Sequence, residues 1–253
     1  MLPRFLTVYL SLVFATFATN ITDSKKTVGW NKQLEESNDR QQGFIKLLLP
    51  VITEQNQKIL KDRAFVDTFF AKYPDYKSDS KISTVDYESL MLVAKTYKVS
   101  NPFDKKEYFD KIDTIPASLV LSQAALESGW GTSKVSKASN NLFGQKVYGS
   151  KRYYRAEDST RYAAFDSIAQ SVKSYMTNLN SHEAYLEFRK KRADTRSKNL
   201  EFTGLKAAKT LVNYSEVKGY TAMLGEMIKT YFSAYDGAKS IISNANTKVG
   251  FFY

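Results

Sequence analysis

The sequence predicts a mainly helical fold with one small β-lobe, and three observations carry that expectation. Apolar residues recur every three or four positions along most of the chain, the period of helices that bury one face. Only residues 147–165 depart from it, with Tyr148, Tyr153, Tyr154, Tyr162 and Phe165 set around turn signals at Gly149-Ser150 and Glu157-Asp158-Ser159; that pattern fits a short hairpin. The 253 residues contain no cysteine and a single histidine. Disulfides and thiol chemistry are therefore ruled out, and a zinc site is not expected. A chain of this length holds one sizeable domain with its own core plus an extension.

The opening segment MLPRFLTVYLSLVFATFA reads as a leader. Arg4 precedes a short apolar run from Phe5 to Ala18, and polar TNITDSKK follows. The run is short for a membrane span, and small residues stand where a signal peptidase could cut. The expectation is a signal peptide over residues 1–18, export to the periplasm or cell envelope, and no stable membrane insertion after cleavage. An uncleaved anchor is the alternative. The formal net charge is +11, spread along the chain. Such an excess favours polyanionic surroundings, whether nucleic acid, anionic lipid or an anionic cell wall; export removes the first.

Residues 19–100 are expected to form an amino-terminal helical extension. From Thr27 to about Phe70, Phe44, Leu48, Val51, Gln55 and Ile59 fall on one helical face, and Pro50 predicts a kink or boundary. YPDYKSDSKIS is a break. Ser83 and Asp86 then form a plausible capping box for a helix carrying Tyr87, Leu90, Ala94 and Tyr97, which Asn101-Pro102 would end. Asp104, Glu107, Asp110 and Asp113 also sit at helical spacing; a solvated face is the expectation, a metal site the alternative.

Residues 115–145, IPASLVLSQAALESGWGTSKVSKASNNLFGQ, organise the rest. Pro116 suits a helix start, Leu119, Gln123 and Leu126 carry the period, and Gly129 and Gly131 stop it around Trp130. Glu127 is left at the helix rim beside an indole. Apolar surroundings and the negative end of a helix both disfavour the ionised carboxyl, which suits a general acid. Beyond the hairpin, Asp166 or Ser167 caps a helix bearing Ile168, Val172, Tyr175 and Leu179, with Gln170 as box partner. That helix is expected to continue through His182, itself a capping or surface residue, into the basic run at 189–192. Residues 204–212 form another short helix. Leu224, Met227, Ile228 and Tyr231 mark the last one, and residues 237–253 form a loosely ordered tail.

QAALESGWGTS followed by NNLFGQK resembles the signature of the glucosaminidase family of peptidoglycan hydrolases, of the glycoside hydrolase family 73 type. FIKLLLPVITEQNQKIL resembles the segment ahead of that domain in the Bax-like subgroup. The resemblance implies a lysozyme-like α+β fold over residues 101–236, with the β-lobe across a cleft from the acid-bearing helix. It implies an endo-β-N-acetylglucosaminidase that cuts the β-1,4 bond on the reducing side of N-acetylglucosamine, with Glu127 as acid and no cofactor. Its partner would be the glycan strands of peptidoglycan, and a monomer is expected.

Glycoside hydrolysis needs a second group at the anomeric centre. Glu157 is the favoured carboxylate, with Asp158 and Asp166 as neighbours. The Bax-like pattern has an acidic residue just before the aromatic strand end, where this chain has Arg161-Tyr162, so the base is displaced or absent. Substrate assistance by the N-acetyl group is the other route. The family tyrosine that holds that group matches Tyr214, which is equally readable as a core residue, and Tyr220 is a second aromatic. Trp130, Asn141, Phe143, Tyr153 and Tyr154 are expected to line the sugar groove, rings on pyranose faces and amides on edges. A lytic transglycosylase or muramidase, and an inactive wall-binding scaffold, are the rival readings.

Overall fold

The computed structural model describes residues 29–37, 39–74, 82–147, 152–212, 214–215 and 217–236. The expected leader, the tail, Tyr148 and the Gly149-Ser150 turn lie outside the described residues. The architecture is mainly helical with a two-stranded β-lobe, the mainly α fold with one small lobe that the sequence predicts.

A short helix α1 (Trp30–Glu35) leads into the long α2 (Arg40–Lys72), which Asp39 caps by accepting from the amides of Gln41 and Gln42. Pro50 neither ends α2 nor marks a boundary. It lies exposed, where a carbonyl deprived of its helical donor can turn to water. The buried face of α2 is Phe44, Ile45, Leu48, Ile52, Gln55, Asn56 and Ile59. Ile52 thus takes the fully buried place expected of Val51, which is half-buried.

Helix α3 (Thr84–Tyr97) starts at Ser83, whose hydroxyl accepts from Asp86 N. It ends at Lys98 in left-handed conformation, before Asn101-Pro102 is reached. Asp104 caps α4 (Lys105–Lys111), and Glu107 accepts from the amides of Ser100 and Asn101. The acidic run is therefore not one solvated face. Asp113 is only 5% exposed and pairs with Arg196 at 2.6 Å. A buried carboxylate needs such a partner to offset its desolvation. Beside it the fully buried Arg192 donates to the carbonyls of Asp110, Lys111 and Asp113. Among the described residues no His, Cys, Asp or Glu group is arranged to hold a metal ion.

That clamp delivers the chain to α5 (Ala117–Ser128), whose residues from Ser118 to Ala125 are all buried. Asn56 of α2 holds its entry, donating to Ile115 O at 2.8 Å and accepting from Ile115 N at 2.9 Å. Helix α6 (Lys134–Ser139) precedes the lobe, in which β1 (Tyr153–Arg155) pairs antiparallel with β2 (Arg161–Ala163), Tyr154 opposite Tyr162. Ser167 caps α7 (Ile168–Ser181) by accepting from Gln170 N, and the Gln170 side chain reaches back to Asp166 N.

The expected continuous helix stops at His182. Its ring accepts from Ala184 N, and a 3-10 turn (Glu183–Tyr185) separates α7 from α8 (Leu186–Ser197). A side chain that satisfies a free amide makes a new start there. Helix α9 (Gly204–Ala208) is shorter than expected, and α10 (Tyr220–Met227) widens into a π-helical turn (Ile228–Phe232). Helices α2, α9, α10 and the π turn all pack on α5. The central helix is thus held on several sides, while Leu126 and Glu127 at its carboxyl-terminal rim stay half-buried.

Candidate active site

Glu127 sits in the last turn of α5. Gly129 ends the helix at φ +57, a left-handed turn in which a side chain is disfavoured. The half-buried carboxyl opens into a cleft of about 1190 Å³ between α5, the β-lobe and α7. Burial raises its pKa, opposed by a hydrogen bond from Tyr220. Tyr220 Oη donates to Glu127 Oε1 at 2.7 Å and accepts from Gln123 Nε2 at 3.0 Å. Tyr175 in turn donates to Gln123 Oε1. Gln123 lies one helical turn before Glu127 and is fully buried. Its amide, held at both ends, gives Tyr220 a donor to accept from and leaves the tyrosine proton for the carboxylate. Oε2 remains for the cleft. It looks toward Gly144, at φ +61, where a Cβ would come within 3.5 Å of it.

An aromatic wall rises beside the acid. Tyr214 stacks on Tyr220 at 5.5 Å and donates its hydroxyl to Phe143 O at 3.3 Å. Phe143 stacks on Tyr175 at 4.0 Å with the rings 5° from parallel. Tyr214 is therefore neither wholly core nor free: it is half-buried, and its ring lines the cleft.

The structure distributes the expected groove residues differently. Asn141 lines the cleft, but its amide is spent on the loop. It donates to Gln145 O and Ala163 O and accepts from Phe143 N and Gln145 N. Phe143 is floor, 2% exposed. Trp130 does not reach the lining. Its backbone is left-handed at φ +57, and its indole meets Phe44 at 5.7 Å and Tyr231 at 5.2 Å. Tyr153 and Tyr154 are also absent from the lining. Tyr153 lies in reach of the Arg155 and Arg161 guanidinium groups, and of the pair Tyr154–Tyr162 it is Tyr162 that faces the cleft.

Glu157 is not brought to the cleft. Its side chain is 84% exposed at the hairpin turn and pairs with Lys134 at 2.7 Å. Asp158 accepts from Thr160 N, and Asp166 pairs with Arg152. Among the described residues, Glu127 is the one carboxylate in the lining.

Sequence reasoning missed two features. Gln145 lines the cleft, and its buried Nε2 has no partner among the described residues; neither has the buried Ser181 Oγ. A buried donor without a partner in a cleft wall points to a ligand that supplies one. Gln170, Lys173, Ser174, Thr177, Asn178 and Ser181 also line the cleft. Their spacing of three and four residues makes them one polar face of α7. The signal lay in the complement of the apolar face already recognised.

Comparisons with known proteins find a family model, a relative and a solved structure that this chain resembles. The protein Bax of Escherichia coli (strain K12) is 34% identical over 181 residues, covering 70% of this chain and 64% of Bax. This chain therefore spans less than two-thirds of that relative's length. The catalytic domain of the autolysin Auto from Listeria monocytogenes is 21% identical, with 66% of this chain and 96% of that chain covered and a TM-score of 0.37. A model of the glucosaminidase family, described as mannosyl-glycoprotein endo-β-N-acetylglucosaminidase, matches residues 104–233, which hold Glu127, its tyrosine partners, the β-lobe and α7. By that match the chain belongs to the glucosaminidase family.

Proposed function

We propose that this chain hydrolyses the β-1,4 bond on the reducing side of N-acetylglucosamine in peptidoglycan, with Glu127 as general acid. The observation that carries the reading is a single half-buried carboxyl, raised by burial and opening through Oε2 into a polar and aromatic cleft. Residues 1–18 would direct export to the envelope, where this substrate lies.

With one carboxylate in the described lining, the second role falls to the substrate. The acetamido carbonyl oxygen attacks the anomeric carbon as the glycosidic C–O bond breaks. The departing oxygen takes the proton from Glu127 Oε2. Water then adds to the anomeric carbon and reopens the oxazolinium ring, giving its proton back to Glu127. Two displacements retain the anomeric configuration. Tyr214 has its hydroxyl proton on Phe143 O, so its oxygen can accept from the acetamido N–H and aim the carbonyl. Gln145 Nε2 is free to donate to the glycan.

The same single carboxylate supports a second reading, a lytic transglycosylase that closes an anhydro ring without water. The test is a digest of purified peptidoglycan by the mature protein and its Glu127→Gln form, reduced with borohydride and read by mass spectrometry. Reduced N-acetylglucosamine ends, absent with the Gln form, are expected. Anhydro-muramic ends would select the second reading. No release by either protein, with both pelleting with the wall, would mean a binding scaffold.

A further inference from the structure

Thr96 and Lys98 line the same cleft as Glu127, yet they precede residues 104–233, the segment that matches the family. They end α3, which packs on α7. The polar face of α7 from Gln170 to Ser181 gives the cleft a floor roughly 16 Å long at 1.5 Å per residue, longer than a single pyranose ring.

Apart from Glu127, the charged side chains of the described lining are all cations. Lys98, Lys146 and Lys173 are exposed in the lining, and none forms an ion pair with a described residue. The fourth cation, Arg152, is taken by Asp166. Asp62 of α2 lies in the field of Lys173, but its Oδ2 accepts from Tyr97 at 2.8 Å. At the end of α7, Ser181 is 4% exposed, and its Oγ has no partner among the described residues. Lys146 lies in the field of Asp158, and a neutral sugar chain gives the other two ammonium groups nothing to neutralise. A carboxylate-bearing branch does.

We propose that the arm of the cleft bounded by Lys98, Lys173 and Ser181 binds a carboxylate of the peptide branches carried by the glycan. The enzyme then prefers peptide-bearing strands to bare ones, and the amino-terminal extension is part of the substrate site. This rests on the glycosidase reading above. It adds to that reading the substrate class and the role of a helix outside the family match.

The experiment compares kcat/KM of the full chain on peptidoglycan and on the same glycan stripped of its peptides by an amidase, with the lactyl carboxylates that the amidase exposes capped as methylamides. The parent should favour the peptide-bearing form. An exposed ion pair contributes about threefold, so Lys98→Gln with Lys173→Gln should lower the preference ratio by about tenfold. Arg at both positions should restore it, and salt at about 0.5 M should erase it. A parent that cleaves both substrates equally overturns the inference and leaves the glycosidase reading standing. So does a double variant that loses both activities in proportion. If the parent cleaves neither, the glycosidase reading falls. Pelleting with the two glycans then decides the arm: binding that ignores the peptides, or the two lysines, overturns it.

Discussion

Replacing Tyr220 by Phe isolates one hydrogen bond while keeping the ring that stacks on Tyr214. The hydroxyl donates to Glu127 Oε1 at 2.7 Å and thereby favours the ionised acid, against the burial that raises its pKa. A hydrogen bond to a charged group contributes about 1.5–3 kcal/mol. The carboxyl is only half-buried, so cleft water replaces part of the lost donor and the lower end applies. Without that bond the burial acts unopposed, and the Glu127 pKa should rise further. A general acid works while protonated, so the alkaline limb of kcat/KM against pH should move to higher pH. The peak should fall, because the carboxyl loses its fixed orientation and Gln123 loses an acceptor. Soluble peptidoglycan fragments serve as substrate, and a carbon-13 titration of the carboxyl reports the shift without turnover. An alkaline limb that stays in place, or moves down, would refute the assignment of Glu127 as the acid steadied by Tyr220.

Three further outcomes follow from the packing. Burial holds the folded pKa of Glu127 above its unfolded value, so its contribution is fully present below the unfolded pKa and is lost as pH rises through the folded one. Glu127→Gln should therefore melt above the parent at about pH 8, with the gap closing towards about pH 4; a gap that widens on acidification contradicts this. Asn56→Ala removes both bonds to Ile115 and leaves a buried amide and carbonyl unpaired. Urea unfolding should show a loss of about 2–4 kcal/mol, and a loss below about 1 would mean that water takes the place of the amide. Gly204→Ala would put a Cβ 1.9 Å from Ser118 Oγ and 2.9 Å from Leu119 N. Overpacking against the backbone of α5 should cost about 2–3 kcal/mol and lower the melting temperature, which calorimetry would read.

What could be read beforehand was local. Ser83, Ser167 and Gly129 announce helix ends through bonds to residues within one turn, and the hairpin declares itself by its turn chemistry. The acid was legible because a helix stop directly follows it. Its support was not, because Tyr220 lies 93 residues away and its place depends on how α10 packs on α5. Trp130 is instructive: its position in sequence places it beside Glu127, but a left-handed backbone swings the ring onto α2 and the π turn. Asp113 shows the same limit for charge. Spacing put it with Asp104, Glu107 and Asp110 on a helix face, whereas α4 ends at Lys111 and Asp113 turns inward to Arg192 and Arg196. Glu157 looked like a cleft residue because the β-lobe borders the cleft, but residues at a hairpin tip can point away from it.

The two tryptophans of the chain stand at one seam. Trp30 donates its indole N–H to Asn140 at 2.9 Å and lies so close to Gly131 that a Cβ there would come within 2.9 Å of the ring. Trp130 meets Phe44 of α2 edge-on. All intrinsic tryptophan emission of this protein therefore arises where the amino-terminal helices meet the turn that follows the acid. A change in wavelength or quenching on adding glycan would report that this seam has moved, with no label and no substitution.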